Sequence, residues 1–150
     1  MNNPPTTDPT IMVDIDGVLS DDRWRRHHWL HKNYNLYHSC SPKDQPILGI
    51  VHLLNCWQGH VVLSTARPEQ YRLMTESWLS KYHIRYDQLL MRKEQDQEPT
   101  SPEIKVKHLS EIRKSGHVVL LMIDDRRDVC KVMGHQAVDN LTFSKGYPLS

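Results

Sequence analysis

An apolar run that breaks into two acidic residues constrains this chain most. Ile11-Met12-Val13-Asp14-Ile15-Asp16-Gly17-Val18-Leu19 reads as a hydrophobic strand that delivers carboxylates into a turn. Side chains alternate faces along a strand, so Asp14 and Asp16 point one way while Ile15 points into the opposite packing layer. Gly17 lets the chain turn sharply and bring its backbone close to whatever binds there. Two crowded carboxylates repel, and a divalent cation or a proton held by one of them relieves the repulsion.

Three later stretches place polar groups in the same way. Val61-Val62-Leu63-Ser64-Thr65-Ala66-Arg67-Pro68 is an apolar strand ending in hydroxyls and an arginine, Pro102-Glu103-Ile104-Lys105 opens a helix that carries a lysine, and Val119 to Arg126 is a strand ending in Asp124 and Asp125. Between them, Ile47, Ile50, Val51, Leu54 and Trp57 recur at helical spacing, with Gly59 as the stop. Pro68 opens a helix with Tyr71, Met74, Thr75, Trp78 and Leu79 on one stripe. Further helices are expected over about 22–32, 103–114 (ended by Gly116) and up to about Met133. Short strands are expected near 88–91 and 136–138, and polar residues 33–46 and 92–102 read as loops. The run from His117 to Ile123 reads as a central strand buried on both faces. This alternation predicts an α/β fold, a Rossmann-like parallel sheet with helices on both faces and all strand C-termini at one edge. The segment between the acidic turn and the second strand is too short for a large cap, so the site is expected to be open.

The sequence of 150 residues fits one domain, expected over 11–150, behind a proline-rich disordered leader at 1–10. No glycine-rich phosphate loop occurs, so any kinase activity belongs to another chain. Cys40, Cys56 and Cys130 show no pairing pattern, and no apolar run approaches a membrane span, which together suit a soluble cytoplasmic protein. With a net charge of +1, charge neither demands nor excludes nucleic acid, but Arg23, Arg25, Arg26, His27, His28, His31 and Lys32 form a basic run that can hold phosphate. His27, His28 and His31 do not make up a four-ligand zinc set. Trp24, Trp29 and Tyr34 suit packing onto the body better than base stacking.

In their order and at these strand and helix ends, the four stretches resemble the four motifs of haloacid dehalogenase-like phosphatases, over roughly residues 11 to 143. Ile-Asp-Asp-Arg, Thr-Ala-Arg and the lack of a large insert further resemble the 3′-phosphatase half of phage polynucleotide kinase and its stand-alone phage relatives. The resemblance implies that Asp14 attacks phosphorus to form an aspartyl-phosphate, and that Asp16 is the general acid for the leaving oxygen and then the base for water. Asp16 is expected to carry that proton through a pKa raised by its neighbouring carboxylate. Thr65 would donate to a phosphoryl oxygen, although it suits an N-cap of the Pro68 helix as well. Lys105, with Lys107 as second candidate, would neutralise charge on Asp14 and the phosphate. Mg2+ would be held by Asp14, the Asp16 carbonyl and the Asp124–Asp125 pair, with Asp124 favoured as the direct ligand.

Arg25 stands nine residues beyond Asp16, as an arginine does in the polynucleotide relatives, with Arg23 and Arg26 close by. Arg25 and Arg67 are thus the candidates for substrate phosphate or nucleotide. Ser101 departs from those relatives, which carry an acidic residue four before the lysine, and Val18 stands where threonine is common. The expected function is a magnesium-dependent phosphomonoesterase that removes 3′-phosphates from DNA or RNA ends, inside the host cytoplasm if phage-encoded. A nucleoside 5′-monophosphatase is the alternative. A non-catalytic phosphate-binding module is the third reading, and the presence of both Asp14 and Asp16 argues against it.

Overall fold

The computed structural model describes residues 8–96, 100–134 and 137–139. Its strands are β1 (Pro9–Val13), β2 (Ser20–Asp21), β3 (Gln45–Pro46), β4 (His60–Pro68), β5 (Gln88–Arg92), β6 (Val118–Asp124) and β7 (Ala137–Asp139). Five of them form a parallel sheet in the order β5-β4-β1-β6-β7, while β2 and β3 pair antiparallel beside it. The helices are α1 (Arg26–Leu30), α2 (Tyr34–Ser39), α3 (Leu48–Cys56), α4 (Arg72–Lys81), α5 (Ser101–Lys114) and α6 (Arg127–Met133).

Strand alternation divides the core into two layers. Ile11, Val13, Val61 and Leu63 meet Ile50, Leu54, Trp78 and Leu79 of α3 and α4 on one face. Met12, Val62 and Met122 meet Leu109, Ile112 and Val129 of α5 and α6 on the other. The expected α/β sheet with helices on both faces is therefore present, and its middle strand is β1, whose Ile11, Met12 and Val13 are buried. β6 lies one place off centre, and Val118 and Leu120 are 59% and 56% exposed. Among the described residues β7 is short and pairs only with Met122 to Asp124, so the first half of β6 has no strand beside it on that edge.

Other boundaries differ from expectation. β1 begins at Pro9, inside the stretch read as a leader, because Pro9 and Thr10 pair with Val118 and Val119; residues 1–7 lie outside the described residues. The segment 33–46 contains α2, a 3₁₀ turn and β3 rather than loop alone. Asn33 starts α2 by accepting the Leu36 N–H at 3.3 Å, and the helix buries Tyr37 and His38. α1 and α2 are the only cap-like cover among the described residues between β1 and β4.

Gly59 serves another purpose than a helix stop. α3 ends at Cys56, and a Cβ on Gly59 would lie 1.9 Å from the Pro9 carbonyl oxygen, which also accepts the Trp57 indole N–H at 3.1 Å. Gly59→Ala is therefore expected to displace the start of β1 and lower unfolding free energy by about 1–3 kcal/mol, as read from urea denaturation.

Candidate active site

Register places the chemistry at one edge. Val13 sits opposite Leu63 of β4 and Ile123 of β6, so Asp14, Ser64 and Asp124 leave the sheet side by side. Asp14, Asp124 and Asp125 bring carboxylate oxygens within 4.8 Å of one another. α5 projects Lys105 into this group, with Nζ 2.8 Å from Asp14 Oδ1, 3.3 Å from Asp124 Oδ2, and also bonded to the Ser64 carbonyl. One turn on, His108 approaches Ser64 Oγ at 2.7 Å and the Met91 carbonyl at 3.2 Å, which fixes the strand end against which Lys105 rests. Lys107, the second candidate, points instead to Asp96 at the surface.

Burial pushes Asp14 well above the ordinary carboxylate range; Lys105 opposes this, and Asp124, Asp125 and Asp16 add to it. Burial and Asp124 push Asp125 up to about 6. Lys105 stays charged despite its burial because Asp14 and Asp124 face it. All three carboxylates supply oxygen donors within reach of one another. That donor set fits a hard divalent cation.

Asp16 departs from expectation. Although burial works upward on it, the guanidiniums of Arg67 and Arg25 hold Asp16 well below the ordinary range. Arg67 grips it with two bonds, Nε to Oδ2 at 2.9 Å and Nη2 to Oδ1 at 2.6 Å, and Arg25 Nη2 adds a third at 2.5 Å. The crowding of Asp14 and Asp16 thus raises only Asp14. The strand pleat sets both on one side, but the turn carries the Asp16 carboxylate away from the acidic trio, toward two cations.

Thr65 is fully buried in β4, and its hydroxyl accepts the Arg67 N–H at 3.1 Å. It caps no helix, because β4 continues to Pro68 and the next helical turn starts at Glu69. Gly17 adopts φ +80°, and a Cβ there would fall 2.3 Å from Asp125 Oδ2, so the glycine gives Asp125 its space. Asp14, Asp16, Thr65, Arg67, Lys105, Asp124 and Asp125 all line one cavity of about 390 Å³, with Ser101 and Arg126 at its side and Trp29, Tyr37 and His38 of the insert across from them.

The polynucleotide kinase PNKP phosphatase domain family matches residues 8–146. The chain belongs to that family. It is a haloacid dehalogenase-like phosphoric monoester hydrolase, and the sheet edge described above is where the motifs of such a phosphatase converge. Two solved structures of a Pnkp1/Rnl/Hen1 complex, one described as an RNA repair complex, are similar at 26% identity with TM-scores of 0.74 and 0.72 over 93% of this chain. The chain spans 45% and 48% of those longer chains. A hydrolase from Streptococcus pneumoniae TIGR4 shares the fold at 13% identity and TM-score 0.57, over 94% of this chain and all of that one. A β-phosphoglucomutase-like protein from Thermotoga maritima does so at 12% and 0.52, over 86% and 83%. No curated protein matches.

The arginines of the phosphatase domain's basic run are already held by carboxylates, while His27, His31 and Lys32 of the run are exposed. Arg23 is bound to Asp21, and Arg26 to Asp22 and Asp125 at 2.9 and 3.0 Å. Arg25 is fully buried: beyond Asp16 it donates Nε and Nη2 to Asp44 at 2.8 and 2.5 Å and Nη1 to the Tyr37 carbonyl at 2.9 Å. The unexpected members of the site are therefore Asp44, Tyr37 and Asp22, the last accepting the Tyr37 hydroxyl at 2.6 Å. Asp22 and Arg26 stand four apart, a spacing that signals an ion pair. Nothing local marks Asp44, which reaches Arg25 across 19 residues. Ser101 accepts Arg126 Nη1 at 3.0 Å and so braces an arginine that lines the same cavity.

Asp44→Asn is expected to leave the buried Arg25 short of its partner and to lower unfolding free energy by about 3–5 kcal/mol. Chemical denaturation checks the loss.

Proposed function

We propose that this phosphatase removes 3′-phosphates from nucleic-acid ends through an aspartyl-phosphate on Asp14. The observation that carries the reading is the meeting of Asp14, Asp124, Asp125 and Lys105 at one strand edge. When all are ionised, the cavity lining holds five carboxylates (Asp14, Asp16, Asp22, Asp124, Asp125) against four cations (Arg26, Arg67, Lys105, Arg126). A phosphate dianion is repelled from such a lining. Asp14, Asp124 and Asp125, with the Asp16 carbonyl as a further donor, would hold a divalent cation, Mg2+ in this reading, whose charge would turn the balance positive for an approaching phosphate.

Asp14 attacks phosphorus as the bond to the leaving oxygen breaks, and water later releases the phosphate from Asp14. Lys105 lowers the cost of bringing two anions together. Thr65, its oxygen already accepting one bond, directs its own O–H to a phosphoryl oxygen. Arg25 and Arg67 serve the substrate through Asp16: phosphate oxygens match a guanidinium fork as a carboxylate does, and drawing the arginines away frees Asp16 to carry the leaving-group proton. The complexes that hold the similar Pnkp1 chains support RNA among the ends treated. A cytoplasmic, phage-encoded phosphatase domain whose first strand starts at Pro9 completes the reading; among the described residues no helix is long and apolar enough to cross a membrane. A nucleoside 5′-monophosphatase is the second reading, favoured by Ser101 and by the paired arginines of the rim.

Phosphate release from a 3′-phosphorylated oligonucleotide and from 3′- and 5′-mononucleotides tests both. Release is expected with Mg2+, preferring the 3′-ends, with kcat reduced on the order of 10³-fold or more in Asp14→Asn. Preference for 5′-mononucleotides selects the second reading. Because protonation of Asp125 competes with a cation, Mg2+ affinity is expected to weaken as pH falls through about 6, which calorimetric titration at pH 5, 6 and 7 follows.

A further inference from the structure

Beside the catalytic cavity lies a larger groove of about 1030 Å³, and three residues, Trp29, His38 and Ala66, line both. Trp29 is the ridge between them and is 41% exposed. Its ring is held in place by edge-on contacts with Tyr34 and Tyr37, at centroid distances of 4.7 and 5.4 Å. Trp24, by contrast, spends its indole N–H on Asp44 at 2.9 Å. His38 is 94% buried, yet its Nδ1 has no hydrogen-bond partner. That nitrogen is sealed inside the insert, so the rigid, exposed face of Trp29 is what the mouth of the phosphate cavity offers a nucleoside, a stacking platform.

Charge in the groove argues against a tracked backbone. Its cations Arg72, Arg92 and Lys93 are outnumbered by four carboxylates. Arg72 is bound to Glu69 and Lys93 to Glu111, so two of the three are already neutralised.

We propose that Trp29 stacks the base of the nucleoside that carries the scissile phosphate, and that recognition ends there. The inference rests on the phosphatase reading and sharpens it: the substrate class is any nucleoside 3′-phosphate terminus, selected by its base rather than by the strand behind it.

The test compares an oligonucleotide ending in a 3′-phosphorylated nucleoside with one whose terminal 3′-phosphate sits on an abasic sugar, in wild type, Trp29→Ala and Trp29→Phe. Wild type is expected to prefer the base-bearing end by about 10-fold to 100-fold in kcat/KM, chiefly through KM. Trp29→Ala should collapse that ratio toward unity and Trp29→Phe should keep most of it. Raising salt from 50 to 200 mM should cost wild type less than about 10-fold, against the roughly 10³-fold or greater loss that six or more phosphate contacts entail. Absence of base preference in wild type, an equal loss on both substrates in Trp29→Ala, or a steep salt dependence overturns the proposal. Binding of the same labelled oligonucleotides to Asp14→Asn protein with Mg2+, read by fluorescence anisotropy, repeats the comparison without turnover. If no phosphate is released from these ends or from p-nitrophenyl phosphate, the phosphatase reading fails while the binding ratio still decides the platform.

Discussion

Like charges held together at the edge of a buried sheet are the constraint on which the rest of this structure depends. Two parallel strands, β1 and β6, deliver their acidic ends to one place, where water is partly excluded and repulsion between carboxylates is correspondingly strong. Lys105 answers it on one side. Its helix starts where the Thr100 N–H meets Glu103 Oε2 at 2.6 Å, a capping interaction that sets the phase of α5 and so aims Lys105 at Asp14. Burial, with the repulsion that Lys105 leaves uncompensated, raises Asp14 and Asp125, and a divalent cation would relieve that repulsion.

Asp16 belongs to a second compartment with the opposite balance. Two arginines converge on it, and Asp44 supports one of them from behind. Arginine suits this arrangement because one planar fork can bridge two carboxylates at once, as Arg25 does, while its face lies 4.2 Å over the Tyr37 ring. The insert is therefore fastened to the site by charge as well as by apolar contact. The β2–β3 pairing of Asp21 with Gln45 brings Asp44 to its place. The same network that orders α1 and α2 thus keeps Asp16 ionised.

Fastening the insert also shapes what the phosphatase meets. Arg23, Arg26 and Arg126 each have a carboxylate of their own, so the rim offers little net charge to a polyanion. What it offers is the exposed face of Trp29 beside the cavity of about 390 Å³, which under the proposed stacking would select the terminal nucleoside rather than the backbone.

Strand ends were legible in the chain itself. Apolar runs that stop at Asp14, Ser64 and Asp124 name the sheet, the parallel order and the trio of carboxylates, because periodicity and burial are local properties of sequence. Lys105 was legible too, from its place in the first turns of a helix. The segment 33–46 was not: its cap at Asn33 is a weak local signal, and only Tyr37 and His38, buried against distant elements, stabilise α2. Nor could the sequence rank Arg25 over Arg23 and Arg26 by geometry, or find Asp44. Those assignments, and the downward shift of Asp16, were decided by tertiary structure alone, since the energy of a charge depends on which partners stand within a few ångströms and how much water remains, and neither is a function of neighbours along the chain.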